Sequence, residues 1–249
     1  MAQSIDLYKG DCLDVMKNLP DRSVDCVISD LPYFGVVGDD FDNQWHSRDE
    51  YLDWVRAVVS EYARVLKDDS NIFLFTSRQY NRFVCDILED NGFEERRIII
   101  WCRKRNFNTT RGKALASGYE PICYFSRGQG IFNNLKIKPD TKRKEYTDGL
   151  LKDGVSLSDV WTDIPALPHN SKEKLPHPTQ KPLALMERIV SLGTNEGDVI
   201  LDSCMGTGTT GAACLSLGRS FIGIEQNEAF FAVARERLKD VSEKKVHEV

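Results

Sequence analysis

Val199-Ile200-Leu201-Asp202-Ser203-Cys204-Met205-Gly206-Thr207-Gly208-Thr209-Thr210 passes from an apolar, strand-like run through a glycine loop into a helical pattern. Gly206 and Gly208 lack Cβ atoms, so a ligand can lie close to this backbone. The helix that follows offers unpaired N–H groups at its start, suited to an anionic group such as a carboxylate. Downstream, the apolar run Ser220–Ile224 ends in Glu225, about 17 residues past the second glycine. An acid at the end of a neighbouring strand can accept both hydroxyls of a ribose. These parts serve a dinucleotide as well as S-adenosylmethionine, and a plain strand-to-helix turn reads the same way.

Outward from this unit, strand-type and helix-type segments alternate, the signature of a mainly parallel sheet covered by helices. Ser23–Asp30 predicts a strand. Glu50–Leu66 predicts an amphipathic helix, with Tyr51, Leu52, Val55, Val58, Val59, Tyr62 and Leu66 on one stripe. Asn71–Thr76 predicts a short apolar strand, Gln79–Glu89 a helix, and Arg97–Cys102 and Glu120–Phe125 two further strands. Between that last pair lies a polar segment, expected to be a mobile basic loop over 103–119. From 127 to 176 the pattern loosens into polar, Gly- and Lys-containing sequence. Order returns with Pro182–Leu192, a helix with proline in its first turn. Then follow strand Asp198–Asp202, helix Thr209–Leu217, strand Ser220–Glu225 and helix Glu228–Leu238. Asp240–Val249 is expected to be a frayed or exposed helix end.

The chain has 249 residues, 41% of them hydrophobic. That suits one α/β domain over 1–249 with a real core and a small insert. No apolar run approaches the ~20 residues needed to cross a bilayer. The start lacks the basic and apolar regions of a signal peptide, so a cytoplasmic location is expected. Seven cysteines (12, 26, 85, 102, 123, 204 and 214) include no C-x-x-C pair. Neither a zinc site nor a disulfide framework is indicated, and no metal is expected.

Net charge is −5, but its distribution is uneven. Between Arg96 and Lys144 thirteen basic residues face two acids, so this window carries +11 and the rest of the chain −16. Such a local field can hold a phosphate backbone while the remaining surface stays acidic. A solvated, charge-mixed surface has the same composition.

Three motifs narrow the choice. Asp30-Leu31-Pro32-Tyr33 ends the first predicted strand, His177-Pro178-Thr179-Gln180-Lys181-Pro182 precedes a helix, and the glycine loop comes last. Together, and in this order, they resemble the β class of DNA amino-methyltransferases, which methylate an exocyclic amine of adenine or cytosine. The usual forms there are Asp-Pro-Pro-Tyr, and Asp-Pro-Phe before the glycines. Here Leu31 replaces a proline, and Ser203 and Cys204 replace Pro and Phe. The resemblance covers nearly the whole chain. It implies a Rossmann-like fold with permuted motif order, S-adenosylmethionine as cofactor and double-stranded DNA as partner. A homodimer and a cognate restriction endonuclease are further partners that it suggests.

The resemblance also implies roles. Asp30, Leu31, Pro32 and Tyr33 would be catalytic: the Asp30 carboxylate and Leu31 carbonyl accept hydrogen bonds from the target amine, and Tyr33 stacks on a flipped base. Pro32 restricts Leu31 to extended geometry, which aims its carbonyl. The cofactor would meet Asp11, Cys12, Asp30, Thr179, Lys181, Asp202, Cys204, Gly206, Gly208, Thr209 and Glu225. Of these, Asp11 would take the cofactor's adenine amine, or cap a helix over Cys12–Asn18. Thr179 and Lys181 would bind its carboxylate. DNA would meet Arg103, Lys104, Arg105, Arg111 and Lys113 in the basic loop. It would also meet Lys142, Arg143 and Lys144 in the recognition insert, roughly 127–176. Phe34 and Glu120 are looser candidates, and 39–45 is either a loop closing over the site or a surface loop pinned by Trp45. Asp rather than Ser at position 30 resembles the N6-adenine enzymes; N4-cytosine is the alternative, and a catalytically silent nucleic-acid-binding protein a second one.

Overall fold

Apolar residues alternate along Val24–Asp30 so that Val27 faces one side of a sheet while Cys26 and Ile28 face the other. Both sides of this strand are buried, as expected of a central strand in a helix-covered sheet. In the computed structural model, residues 3–35, 44–103, 115, 117–138, 153–168 and 170–247 are described. Their strands are β1 (Ile5–Lys9), β2 (Val24–Asp30), β3 (Leu66–Phe75), β4 (Glu94–Cys102), β5 (Tyr119–Arg127), β6 (Lys136–Ile137), β7 (Val155–Ser156), β8 (Val160–Trp161), β9 (Val199–Asp202) and β10 (Ser220–Glu225). The helices are α1 (Cys12–Met16), α2 (Arg48–Val65), α3 (Asn81–Asp90), α4 (Leu183–Gly193), α5 (Thr209–Ser216) and α6 (Glu228–His247).

Eight strands form one sheet in the order β1-β10-β9-β2-β3-β5-β4-β8. Only β5 runs against its neighbours, pairing antiparallel with β3 and β4. α1, α2 and α3 cover one face; α4, α5 and α6 cover the other. From β2 the chain moves outward to β3, whereas from β9 it moves the other way to β10. The strand order therefore reverses between β2 and β9. Ligands in open α/β sheets bind in the crevice at the carboxyl ends of the strands at such a switch point.

Several boundaries differ from expectation for local reasons. α2 starts at Arg48 because Ser47 caps it, its hydroxyl accepting from Glu50 N at 3.1 Å. Pro182 stands at the N-cap of α4, one position outside the helix. β3 begins at Leu66, with exposed Lys67, Asp68 and Asp69 that hide a strand in hydropathy. α6 continues as one helix to His247. β1 was not expected: its alternation is short and half polar, and it lies at the sheet edge beside β10. Within 127–176, β6 and β7 form a small separate antiparallel pair while β8 joins the main sheet beside β4.

Candidate active site

β2 and β9 deliver their last residues, Asp30 and Asp202, to the two sides of the switch point. Between them opens a cavity of about 670 Å³. That volume lies within the usual range for small-molecule sites. At one end it is lined by Asp11, Cys12, Gly206 and Glu225, and at the other by Asp30, Leu31, Pro32 and Tyr33 with Lys181; Thr179 lines it too.

At the β9 end, the loop is shaped by its acids. Asp202 is buried and accepts from Ser29 Oγ (3.0 Å), Cys204 N (3.1 Å) and Thr210 Oγ1 (2.6 Å). Burial raises its pKa to about 6 from the ordinary 3.8, against the pull of these hydrogen bonds. Ser203 Oγ meets Ser29 at 3.3 Å and also bonds the Tyr62 hydroxyl, which reaches across from α2. A buried hydroxyl chain thus holds the loop where the usual family pattern has a proline ring. Gly206 and Gly208 have φ of 52° and 74°, the left-handed region that glycine occupies at little cost. A Cβ on Gly206 would stand 3.2 Å from His177 Nε2, narrowing the cavity wall. Glu225 accepts from Gly206 N (3.0 Å) and Asn227 N (2.7 Å), which fixes its carboxylate at the cavity edge. Burial raises the pKa of Glu225 too.

Asp11 caps α1, accepting from Leu13 N (2.9 Å) and Asp14 N (3.3 Å), both on Oδ1, and still lines the cavity. The two expectations for it are compatible. The neighbouring Cys12 thiol, then burial, holds the Cys204 thiol well above its ordinary pKa. Thr209 lines the cavity, with its hydroxyl accepting from Arg237 at 2.9 Å. Gly208 departs from its expected position: it caps α5 and faces α6, where an added Cβ would meet Ala234 at 3.2 Å.

At the β2 end a charged chain crosses the sheet. Tyr33 donates its hydroxyl to Asp30 Oδ1 at 2.5 Å, and Lys181 pairs with Asp30 Oδ2. Lys181 Nζ also lies 3.4 Å from Glu120 Oε2, an ion-pair contact rather than a hydrogen bond. Glu120 Oε1 in turn accepts from Arg103 at 3.0 Å. Burial works against the Lys181 charge, but Asp30 and Glu120 outweigh it and hold its pKa above the usual lysine value. Burial, then the Asp30 carboxylate, raises the Tyr33 hydroxyl well above its ordinary value. The ammonium expected beside a ligand carboxylate is therefore bound to protein carboxylates, because burial leaves it no cheaper way to stay charged.

Patterning missed Trp54, Asn227 and Phe230, all of which line the cavity, as does Gln44 of the expected 39–45 loop. Trp54 had one signal: a large aromatic lying off the apolar stripe of α2. Phe34 packs partly against the core, and Trp45 is buried against Tyr51 and Trp54 at 4.9 and 5.0 Å. Residues 39–43 lie outside the described residues, as do Lys104, Arg105, Arg111, Lys113, Lys142, Arg143 and Lys144. Arg103 is described, at the carboxyl end of β4. The basic window is divided by the fold, because Arg96 and Arg127 sit at the opposite edge of the sheet. Arg96 bonds Ser126 Oγ at 2.6 Å, and Arg127 bonds Ala63 O at 2.8 Å. These cations serve the fold, so the field at the cavity mouth is smaller than the sequence count suggests.

Ionised Asp202 is an internal cost. The folded chain keeps its proton up to about pH 6, whereas the unfolded chain releases it near 3.8. Stability from this group is therefore lost as pH rises through that window, by roughly 3 kcal/mol. Asp202→Asn should gain on the wild type by about that amount between pH 4 and pH 7 in urea unfolding. A stability difference that does not change with pH would refute this account of the site.

Residues 24–236 match the family model described as DNA methylase, of N6/N4 type. The chain is 31% identical over 238 residues to the Type II methyltransferase M.HpaI of Haemophilus parainfluenzae, covering 93% of this chain and 73% of that protein. It is 30% identical to the Type II methyltransferase M.BamHI of Bacillus amyloliquefaciens, covering 94% of this chain but spanning 57% of that protein's length. Among solved structures, the M1.HpyAVI–SAM complex matches with a TM-score of 0.68 and 28% identity, over 94% of this chain and 98% of that one. No helix among the described residues is long and apolar enough to cross a membrane.

Proposed function

We propose, from the premise that the chain belongs to the N6/N4 DNA methylase family, that it methylates N6 of an adenine turned out of double-stranded DNA. S-adenosylmethionine supplies the methyl group, carried on a sulfonium that makes it electrophilic. The observation that carries this reading is one continuous cavity with Glu225 and Gly206 at one end and Asp30–Tyr33 at the other. A donor and an acceptor can meet there without leaving the protein.

The residues present fit the cofactor. Glu225 offers a fixed carboxylate to ribose hydroxyls. The close approach at Gly206 admits a ligand against the backbone, and Asp11 retains Oδ2 for an amine donor. Thr179 lines the cavity, suited to the methionine end. Lys181 takes a different role from the one expected of it: it holds the Asp30 carboxylate.

An aromatic-ring amine is a poor nucleophile, because its lone pair is delocalised. Asp30 and the Leu31 carbonyl accept its two N–H groups, and the nitrogen becomes more tetrahedral and more nucleophilic as it attacks. Interactions that strengthen along this path lower the barrier. The amine must displace the Tyr33 hydroxyl from Asp30 Oδ1, which frees the ring to stack on the base. The proton lost as the amine becomes secondary passes to Asp30 and then to water.

The test is to incubate the protein with labelled S-adenosylmethionine and mixed genomic DNA, digest to nucleosides and identify the labelled one. Label in N6-methyladenosine is the expected result. Label in N4-methylcytidine would replace the adenine reading with the cytosine one, and no label would favour a silent fold.

A further inference from the structure

β2 and β3 both end at the carboxyl edge, and α2 and α3 begin there. Three arginines stand at that edge: Arg48 on the first turn of α2, Arg78 after β3, and Arg82 on the first turn of α3. Gln79 beside them donates to the Phe34 carbonyl at 3.3 Å, so this rim touches the exit of the Asp30–Tyr33 motif. It lies outside the cavity itself, whose lining on the α2 side includes Gln44 and Trp54. Arg103, at the end of β4, lies farther along the same edge, beyond β5.

Arg48 pairs with Asp49, whereas Arg78 and Arg82 have no acid partner among the described residues. Arg82 lies 4.6 Å over the Phe83 ring, and Arg48 lies 5.5 Å from the same ring on its way to Asp49. Arg78 and Arg82 are both exposed. Near the starts of α2 and α3, Trp45, Tyr51, Trp54 and Tyr80 form a packed aromatic group with ring centroids 4.8 to 6.3 Å apart. Arg78 and Arg82 thus form an exposed cationic shelf at this edge, and the Phe83 ring beneath Arg82 limits the side-chain ordering that gripping an anion costs.

We infer that this shelf, through Arg78 and Arg82, grips the phosphate backbone of the substrate duplex on the α2–α3 side of the carboxyl edge. The inference rests on the proposed DNA substrate and extends it. A base turned out of the stack leaves flanking phosphates that must be held in register with the pocket. The shelf, one step along the edge from the exit of the Asp30–Tyr33 motif, supplies a point of attachment for them. Arg96 and Arg127, spent on the fold at the far edge, cannot do so.

The test uses the full chain, a fluorescent duplex of mixed sequence and a series of salt concentrations. Arg78→Ala/Arg82→Ala should weaken binding about ten-fold or more near 0.1 M salt, and reduce the salt slope by about 2. Arg78→Lys/Arg82→Lys should keep most of the slope, since charge rather than shape is required. S-adenosylmethionine affinity in both variants should match the wild type, which reports that the fold is intact. An unchanged slope in the alanine variant, with a wild type that binds and methylates DNA, overturns the shelf alone. A wild type with no affinity for the duplex overturns the shelf together with the DNA substrate.

Discussion

Asp30→Ala should lower the rate of methyl transfer by roughly 10³-fold or more while S-adenosylmethionine still binds. The carboxylate accepts from the amine only as the nitrogen changes geometry, so its loss falls on kcat rather than on ground-state binding. The cofactor end of the cavity is built by other residues, chiefly Glu225 and the Gly206 backbone. In the variant Lys181 keeps Glu120 as a partner, so its charge is not stranded. Single-turnover transfer from pre-bound labelled cofactor, with cofactor binding measured on the same preparation, checks both halves. Near-normal turnover would remove Asp30 from the chemistry.

The second large effect is expected from Lys181→Met. If Lys181 served the cofactor's carboxylate, this change would raise the cofactor dissociation constant and spare kcat. Its ion pairs with Asp30 and Glu120 argue for the reverse. Without the ammonium two carboxylates face each other in a buried site, and one of them takes up a proton more readily. A protonated acceptor cannot polarise the amine. kcat at neutral pH should fall roughly 100-fold, and the acid limb of the pH–rate profile should move to higher pH. Removing one partner of a buried pair also costs about 3–5 kcal/mol of stability, so unfolding is followed alongside. Glu120→Gln in the same chain removes the second carboxylate and should restore part of both losses. A raised cofactor dissociation constant with unchanged kcat would return Lys181 to the cofactor.

The fold and the outline of the site could be read from sequence where one stretch carried its own signal. The run into Asp202, the two glycines and Glu225 lie within 30 residues of one another, and each marks an element end. The Asp30 tetrapeptide likewise marks the end of β2. What could not be read depended on partners distant in sequence. Lys181 meets Asp30 across 151 residues and Tyr62 meets Ser203 across 141, and no local pattern announces either. Charge counting failed for a related reason. Arg96 and Arg127 belong to the same basic window as Arg103, yet β4 and β5 carry them to the opposite edge of the sheet. Conversely Arg78 and Arg82, in no charge cluster by sequence, stand at the carboxyl edge because β3 ends there. β1 and β8 escaped because an edge strand needs neither length nor continuous hydrophobicity to pair.

The most direct test is a structure of the full chain with a non-reactive cofactor analogue and a duplex containing its methylated site. The measured quantity is the position of the target amine nitrogen. It should lie within hydrogen-bond reach, about 2.7–3.2 Å, of both an Asp30 carboxylate oxygen and the Leu31 carbonyl, with the Tyr33 hydroxyl displaced from Asp30. An amine bound beyond reach of Asp30, with Tyr33 and Lys181 still closed over the carboxylate, would contradict the account.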